Sequence, residues 1–227
     1  MSLVLETVER ETAPEPAASV IWLHGLGADG YDFDPIVPQL RLPGGPELRY
    51  VFPHAPIRPV TINGGVEMRA WYDIVAIQRS AREDEAGIRE SGAGIEALIR
   101  REAERGIPAH RVVLAGFSQG GAIALYAGLR HPEPLAGIIA LSIYVLLREA
   151  SAEFHPANRS TPVFMAHGSL DPVVPAVLGE EGNEFLTGLG YDVSFKTYVM
   201  PHSVCPEEIE DIRRWMGRIL RGPLPPP

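Results

Sequence analysis

The segment VVLAGFSQGGAIALYAG (residues 112–128) places one serine where it could act as a nucleophile. An apolar, β-branched run ends at GFSQG (residues 116–120), and a helix-like run of small and apolar residues follows. The pattern G-x-S-x-G between a strand and a helix is typical of the sharp turn that raises a reactive serine above the edge of a sheet. A glycine-rich connection in which Ser118 merely caps the helix is the alternative interpretation.

A serine hydroxyl becomes an effective nucleophile when a base takes its proton and a third group orients that base. Asp171 in MAHGSLDPVVP and His202 in YVMPHSVCPEE each follow an apolar, strand-like run. The order serine, acid, histidine along the chain is that of the α/β-hydrolases. Asp171 followed by proline could instead form a simple turn, and His202 could be a surface residue before the last helix. Together the three groups favour a triad of Ser118, His202 and Asp171.

Acyl-transfer chemistry also needs N–H donors directed at the oxyanion that develops during the reaction. The amide of Gln119, directly after the serine, is one candidate. The loop WLHGLGADGYDF (residues 22–33) follows an early strand, and Leu26 within it is the second. A plain glycine-rich turn is the alternative for this loop. His24 is expected to support the loop by hydrogen bonding rather than to react.

The segments that would position these groups alternate between strand-like and helix-like patterns. Short, nearly continuous apolar runs predict strands at 19–24, 48–52, 111–116, 135–141, 161–167 and 193–199. Apolar residues at helical spacing predict helices at 88–103, 119–130, 179–189 and 205–220. This alternation predicts an α/β fold with a mainly parallel sheet that is covered on both faces.

No internal repeat and no linker-like segment interrupts the middle of the chain, which predicts a single domain over residues 1–227. The ordered core is expected at about residues 18–220, followed by an extended, proline-rich tail, GPLPPP. The net charge of −9, with the basic residues spread out, disfavours nucleic-acid binding. The apolar runs are shorter than the roughly 18 residues of a membrane span, and the N-terminus does not resemble a secretory signal. A cytoplasmic protein without integral membrane association is therefore predicted.

Cys205 is the one cysteine of the chain, so an internal disulfide and CxxC-type metal clusters are excluded, and no metal site is predicted. Cys205 lies three residues after His202 and could be considered as a thiol nucleophile. Its position near the start of the last helix instead favours a structural role, in which Cys205 packs as a small side chain.

Five segments taken together resemble the carboxylesterase and acyl-protein thioesterase family of α/β-hydrolases. They are VIWLHGLGADGYDF, FPHAPIRPVTINGGVEMRAWYDI, GFSQGGAIAL, AHGSLDPVVP and HSVCPEEI, and the resemblance covers roughly residues 18–220. It implies a compact hydrolase without a large cap domain, no cofactor, and small-molecule acyl esters or thioesters as substrates. It also implies a nucleophile at Ser118, an acid at Asp171, a base at His202, and oxyanion amides at Leu26 and Gln119.

In members of that family, the segment matching PVTINGGVEMRAWYD loops over an acyl-binding groove. The resemblance therefore implies a groove lined by Ile62, Val66, Met68 and Trp71, with ordinary loop packing as the alternative. Three departures from the family pattern concern the site. Pro201 stands where glycine usually precedes the histidine, Arg69 stands where proline is common, and LSIYVLL (residues 141–147) is bulkier than expected, which predicts a shorter pocket.

These observations lead to a serine carboxylesterase that hydrolyses short- to medium-chain acyl esters through an acyl-enzyme. The alternative with the same chemistry is an acyl-thioesterase or lysophospholipase with a longer acyl groove. Two other classes of protein are a non-catalytic binding protein that retains the fold and a peptidase. An intact triad argues against the binding protein. An exposed apolar groove could also receive a second subunit, so a homodimer stays open.

Overall fold

A computed structural model describes residues 5–78 and 82–221, so the predicted tail GPLPPP lies outside the described residues. The strands are β1 (Thr7–Glu11), β2 (Ala18–Leu23), β3 (Leu48–Pro53), β4 (Ile57–Val60), β5 (Val66–Arg69), β6 (Val112–Phe117), β7 (Gly137–Leu141), β8 (Val163–Gly168) and β9 (Val193–Tyr198). The α-helices are α1 (Glu85–Glu104), α2 (Gln119–Arg130), α3 (Ala176–Gly188) and α4 (Pro206–Ile219).

Seven strands form one sheet in the order β1-β3-β2-β6-β7-β8-β9. β1 pairs antiparallel with β3, and every other neighbouring pair in this sheet is parallel. β4 and β5 form a separate antiparallel hairpin. All six strands expected from apolar runs are present, and the mainly parallel α/β fold is confirmed. β1 and the hairpin were not predicted, because TVERE is largely polar and the hairpin strands are short.

Both faces of the sheet are covered by helices. Ile21 and Leu186 belong to a buried apolar cluster between the sheet and α1, α2 and α3. Trp22 and Trp215 belong to a second cluster between the opposite face and α4. Successive residues of a strand point to opposite faces, so the apolar β2 supplies Ile21 to one cluster and Trp22 to the other. In the described part of the chain, no connection between strands forms a separate cap domain.

The parallel pairing brings the loops that carry the candidate residues to one edge of the sheet. β2, β6, β8 and β9 run in the same direction, so their carboxyl ends lie side by side. Leu26, Ser118, Asp171 and His202 each follow one of these strand ends. Ligand sites of α/β sheets form at this edge.

Helix α4 buries one carboxyl group whose ionisation should oppose folding. Glu208 lies in its first turn and is fully buried, and burial raises the pKa of its side chain from 4.5 to about 8. Between these two pH values the unfolded chain releases a proton that the folded chain retains. The free energy of unfolding should therefore fall as pH rises from 4.5 to 8.

Glu208→Gln should remove this pH-dependent loss, because an amide does not ionise. The quantity of interest is the free energy of unfolding of the variant minus that of the parent. We expect this difference to be about 2–4 kcal/mol larger at pH 8 than at pH 4.5. Urea unfolding at the two pH values measures this difference. Glu207→Gln changes an exposed side chain one position earlier and is the matched control. An equal effect of Glu208→Gln at both pH values would show that the buried carboxyl does not ionise in this range.

Candidate active site

Ser118 occupies a strained turn between β6 and α2. Its backbone φ is 54° and ψ is −126°, and its N–H donates to the Leu141 carbonyl at 2.8 Å. Positive φ is unfavourable for a residue with a side chain and is concentrated at functional sites. The side chain forms no capping hydrogen bond to α2. The helix-cap interpretation of this serine is therefore wrong.

The glycines on either side of Ser118 allow the turn to be this tight. A Cβ atom on Gly116 would lie 2.5 Å from the carbonyl carbon of Gly120. A Cβ atom on Gly120 would lie 2.3 Å from the His24 carbonyl oxygen. Side chains at either position would force β6, α2 and the loop after β2 apart, so these glycines are required by close packing around the serine.

Ser118, His202 and Asp171 form a continuous hydrogen-bonded chain. The Oγ of Ser118 lies 2.9 Å from His202 Nε2, and His202 Nδ1 lies 2.6 Å from Asp171 Oδ2. The carboxylate accepts a hydrogen bond from Nδ1–H, which leaves Nε2 free to accept a hydrogen bond from the serine hydroxyl. This tautomer is the one in which the imidazole can act as a base toward Ser118.

Asp171 is held by its own turn as well as by His202. Its Oδ1 accepts from the N–H groups of Val173 at 2.8 Å and Val174 at 2.9 Å. The side chain has no solvent exposure, so both oxygens depend on these protein partners. The Asp-Pro turn that the sequence allowed is thus present and presents the second oxygen to His202.

Two further aromatic rings contact this chain of residues. His167, at the end of β8, donates from Nε2 to the Val174 carbonyl at 2.9 Å and lies 3.5 Å from Asp171 Oδ2. Burial lowers the pKa of His167, which favours a neutral ring beside the carboxylate. The Phe117 ring lies 4.6 Å from the His202 ring, measured between centroids. Neither residue was assigned a role from the sequence, although His167 lies within MAHGSLDPVVP and Phe117 within GFSQG.

The loop after β2 is held by His24. Its Nε2 accepts from the N–H of Ala55 at 3.0 Å, so the ring proton is on Nδ1, which donates to the Gly25 carbonyl at 2.7 Å. Burial lowers the pKa of His24 to about 4, and the ring is neutral at physiological pH. His24 therefore supports the loop by hydrogen bonding, as expected from the sequence.

This contact also orients the amide of Leu26. The Gly25 carbonyl and the Leu26 N–H belong to one planar trans peptide and point in opposite directions. Fixing the carbonyl through His24 thus fixes the direction of the N–H. A Cβ atom on Gly25 would lie 3.6 Å from Ser118 Cβ, which places this peptide beside the serine.

The side chain of Gln119 connects the serine turn to the segment before α1. Its Oε1 accepts from the Trp71 N–H at 2.8 Å, and its Nε2 donates to the Tyr72 carbonyl at 2.7 Å. The indole Nε1 of Trp71 donates to the His24 carbonyl at 2.9 Å. Trp71 thereby joins the side chain of Gln119 to the backbone of His24, two residues before Leu26. The main-chain N–H of Gln119 is at the first position of α2, where the helix offers it no acceptor.

The four residues expected to line a groove lie in different surroundings. Trp71 is fully buried beneath the loop, where it packs as well as donates. Ile62 and Val66 are 43% and 58% exposed on the β4–β5 segment. Met68 faces the loop after β2, because its Sδ would lie 3.7 Å from a Cβ atom on Gly27.

The two unusual residues at the site have clear contacts. Arg69 is half-buried and donates from Nη1 to the Ala55 carbonyl at 2.8 Å, while its own carbonyl accepts from the Gly27 N–H at 2.9 Å. Arg69 therefore braces the segment that His24 also holds. Pro201 is exposed, and its carbonyl accepts from the Ser203 N–H at 2.9 Å, which tightens the turn that carries His202.

A cavity opens beside this site at the same edge of the sheet. Its apolar and aromatic lining comes from Tyr72, Ile74, Val75, Ala76, Tyr144, Val145 and Leu178. Its polar lining comes from Asp73, Gln78, Arg82, Glu83, Arg148, Glu149 and Glu181. Ser118 and His202 are not among its lining residues. The hydrogen-bonded side chains of Ser118, His202 and Asp171 therefore lie outside this cavity.

Other chemistry finds little support in the described residues. Burial raises the pKa of the Cys205 thiol, which disfavours the reactive thiolate form. Across residues 5–78 and 82–221, no group of three His, Cys, Asp or Glu side chains is arranged to hold a metal ion. Over the same ranges, no helix is both long and apolar enough to cross a bilayer. The cytoplasmic location and the homodimer stay predictions.

The mainly parallel sheet, the serine turn and the order of the strand-end loops define the class as an α/β-hydrolase. The chain belongs to the phospholipase/carboxylesterase family, whose model matches residues 5–219. The resemblance inferred from the sequence motifs is confirmed. As a member of this family, the protein is a hydrolase.

Relatives are found among both curated proteins and solved structures. The acyl-protein thioesterase 1 of Neurospora crassa is 46% identical over 228 residues, which cover 96% of this chain and 91% of that protein. The crystal structure of Arabidopsis thaliana SOBER1 has a TM-score of 0.84 and 32% identity, covering 89% of this chain and 99% of that one. The structure of Zea mays acyl-protein thioesterase 2 has a TM-score of 0.82 and 28% identity, covering 94% and 99%.

Proposed function

We propose that this hydrolase is an acyl-thioesterase that cleaves its substrates through a covalent acyl-enzyme on Ser118. The hydrogen-bonded chain from Ser118 through His202 to Asp171 is the observation that carries the proposal. The sequence alone ranked a short- to medium-chain carboxylesterase first and an acyl-thioesterase second. Relatives named acyl-protein thioesterases, such as the N. crassa protein, support the opposite ranking.

Acylation begins when Ser118 Oγ attacks the carbonyl carbon of the thioester. His202 Nε2 takes the hydroxyl proton as the C–O bond forms, and Asp171 stabilises the imidazolium through Nδ1–H. The C–S bond then breaks, and the leaving thiolate receives the proton from Nε2. The product of this half-reaction is a free thiol and an acyl ester on Ser118.

The negative oxygen of the tetrahedral intermediate needs donors that are in place before the reaction. We assign this role to the main-chain N–H groups of Leu26 and Gln119. Leu26 N–H is oriented through the His24–Gly25 hydrogen bond, and Gln119 N–H by the start of α2. Trp71 joins the Gln119 side chain to the His24 carbonyl and so helps to fix the two segments that carry these donors.

Deacylation repeats the same proton transfers with water as the nucleophile. His202 Nε2 takes a proton from the water as its oxygen attacks the acyl ester, and the same oxyanion donors stabilise the second intermediate. Ser118 Oγ leaves with the proton from Nε2. A carboxylic acid is released and the starting state is restored.

The cavity beside Ser118 is the proposed site for the acyl chain. Its apolar lining suits a hydrocarbon chain, and its charged residues would limit how far that chain extends. The exposed Ile62 and Val66, with Met68, are proposed to contact the substrate near its reacting group. Trp71 is proposed to support this region from below rather than to line it.

The proposal is tested with matched substrates in which only the reacting atom differs. An S-acylated cysteine peptide and the corresponding O-acylated serine peptide are compared over acyl chains from butanoyl to dodecanoyl. We expect kcat/KM for the thioester to exceed that for the ester by about tenfold or more at each length. Equal or reversed values would restore the carboxylesterase assignment. Hydrolysis of neither series would overturn the catalytic assignment.

A further inference from the structure

Two tyrosine hydroxyls meet in the wall of the cavity. The phenol oxygens of Tyr72 and Tyr144 are 3.1 Å apart and form a hydrogen bond. Tyr72 is only 2% exposed, and burial raises the pKa of both side chains, so both hydroxyls stay protonated. They face a lining that includes Ile74, Val145 and Leu178, which offer no side-chain hydrogen-bond partner. Glu83, another lining residue, is near enough to raise the pKa of both phenols, but among the described residues each hydroxyl forms its hydrogen bond with the other.

Both tyrosines belong to segments that are bonded directly to the serine turn. The carbonyl of Tyr72 accepts from the side chain of Gln119 at 2.7 Å. Tyr144 lies three residues after Leu141, whose carbonyl accepts from the Ser118 N–H at 2.8 Å. The tyrosine pair thus joins the two lining segments that are hydrogen-bonded to the serine turn.

We propose that the Tyr72–Tyr144 pair is a gate between Ser118 and the cavity and that it determines acyl-chain specificity. The inference rests on the proposed function, because it requires an acyl group bound to Ser118. Short acyl chains end before the gate and leave the hydroxyl pair intact. A longer chain must separate the two rings, and both hydroxyls then face hydrocarbon without a partner, which is unfavourable.

The gate also explains a feature of the sequence. The segment LSIYVLL is bulkier than the family resemblance led us to expect, and this predicted a shorter pocket. Tyr144 is the large aromatic residue in that segment. Its hydroxyl, rather than bulk alone, would close the pocket, because it bonds to a second aromatic residue on the opposite segment.

The test compares the parent with Tyr72→Phe, Tyr144→Phe and the double variant on butanoyl and dodecanoyl thioesters. Each single change removes the hydrogen bond but keeps the ring. We expect the dodecanoyl-to-butanoyl ratio of kcat/KM to rise about tenfold in each single variant. The double variant should gain little beyond either single one, because all three lack the same bond.

Tyr50→Phe is the matched control. It removes a buried hydroxyl that donates to the Leu40 carbonyl at 3.2 Å in the cluster on the opposite face of the sheet. It should leave the chain-length ratio unchanged, and thermal unfolding of every variant checks that each folds.

The outcomes separate the gate from the function on which it rests. If the parent hydrolyses butanoyl thioester but no tyrosine variant changes the ratio, the gate is overturned and the thioesterase stands. Multiplicative effects of the two single changes would also overturn the gate, since independent residues do not share one bond. If the parent hydrolyses no thioester at any length, both proposals fail.

Discussion

Ser118→Ala should reduce kcat by at least about 10⁴-fold on every substrate that the parent hydrolyses. The variant lacks the Oγ that lies 2.9 Å from His202 Nε2, so no acyl-enzyme can form. Residual turnover would come from water activated by His202 and from the oxyanion donors, which the substitution leaves in place. Steady-state kinetics on a butanoyl thioester measures the loss.

The folded state should be nearly unaffected by this change. The Ser118 side chain makes no hydrogen bond to the first turn of α2, so alanine removes no helix cap. Thermal unfolding should therefore give closely similar midpoints for the two proteins. A variant that folds normally and retains full activity would exclude Ser118 as the nucleophile.

Asp171→Asn should reduce kcat by about 10³- to 10⁴-fold with little change in KM. The N–H groups of Val173 and Val174 both donate to Oδ1, so an amide must place its oxygen there. Its NH₂ group then faces His202 Nδ1 and donates to it. The imidazole proton is forced onto Nε2, and the ring can no longer accept the proton of Ser118.

The proposed cause of the lower kcat, the changed His202 tautomer, can be measured directly. Nitrogen-15 shifts of the His202 ring should show the proton on Nδ1 in the parent and on Nε2 in Asp171→Asn. Asp73→Asn is a useful comparison. It changes a carboxylate on the segment before α1 that accepts hydrogen bonds from Thr61, and it should leave the His202 tautomer unchanged. Unchanged activity in Asp171→Asn would show that another group orients His202.

The catalytic candidates could be predicted from the sequence because parallel strands restrict where their loops can meet. Apolar runs before Ser118, Asp171 and His202 identified three parallel strands, whose carboxyl ends must share one edge of the sheet. The structure places the three side chains within hydrogen-bonding distance in the predicted order. Local pattern and chain topology were sufficient here.

The supporting contacts could not be predicted, because they join segments that are far apart in the chain. His24 was expected to brace the loop, but its partner Ala55 is 31 residues away. Trp71 was expected in the groove, whereas its indole donates to a backbone carbonyl 47 residues earlier and is fully buried. No local periodicity encodes such pairings. The Tyr72–Tyr144 contact, which joins residues 72 positions apart, is of the same kind.

The missed strands have a related explanation. β1 is a sheet-edge strand with three charged residues among its five, so it lacks the apolar run that marks a buried strand. The hairpin strands β4 and β5 have four residues each, and β4 contains a proline. Their pairing is apparent only in three dimensions.

The most direct test of the account is to identify the residue that carries the acyl group during turnover. The parent and Ser118→Ala are mixed with a dodecanoyl thioester, quenched in acid within the steady state, digested and analysed by mass spectrometry. The account predicts one dodecanoyl group on the peptide that contains Ser118 in the parent and no such group in the variant. Acylation of a different residue, or steady turnover by Ser118→Ala at the parent's rate, would contradict it.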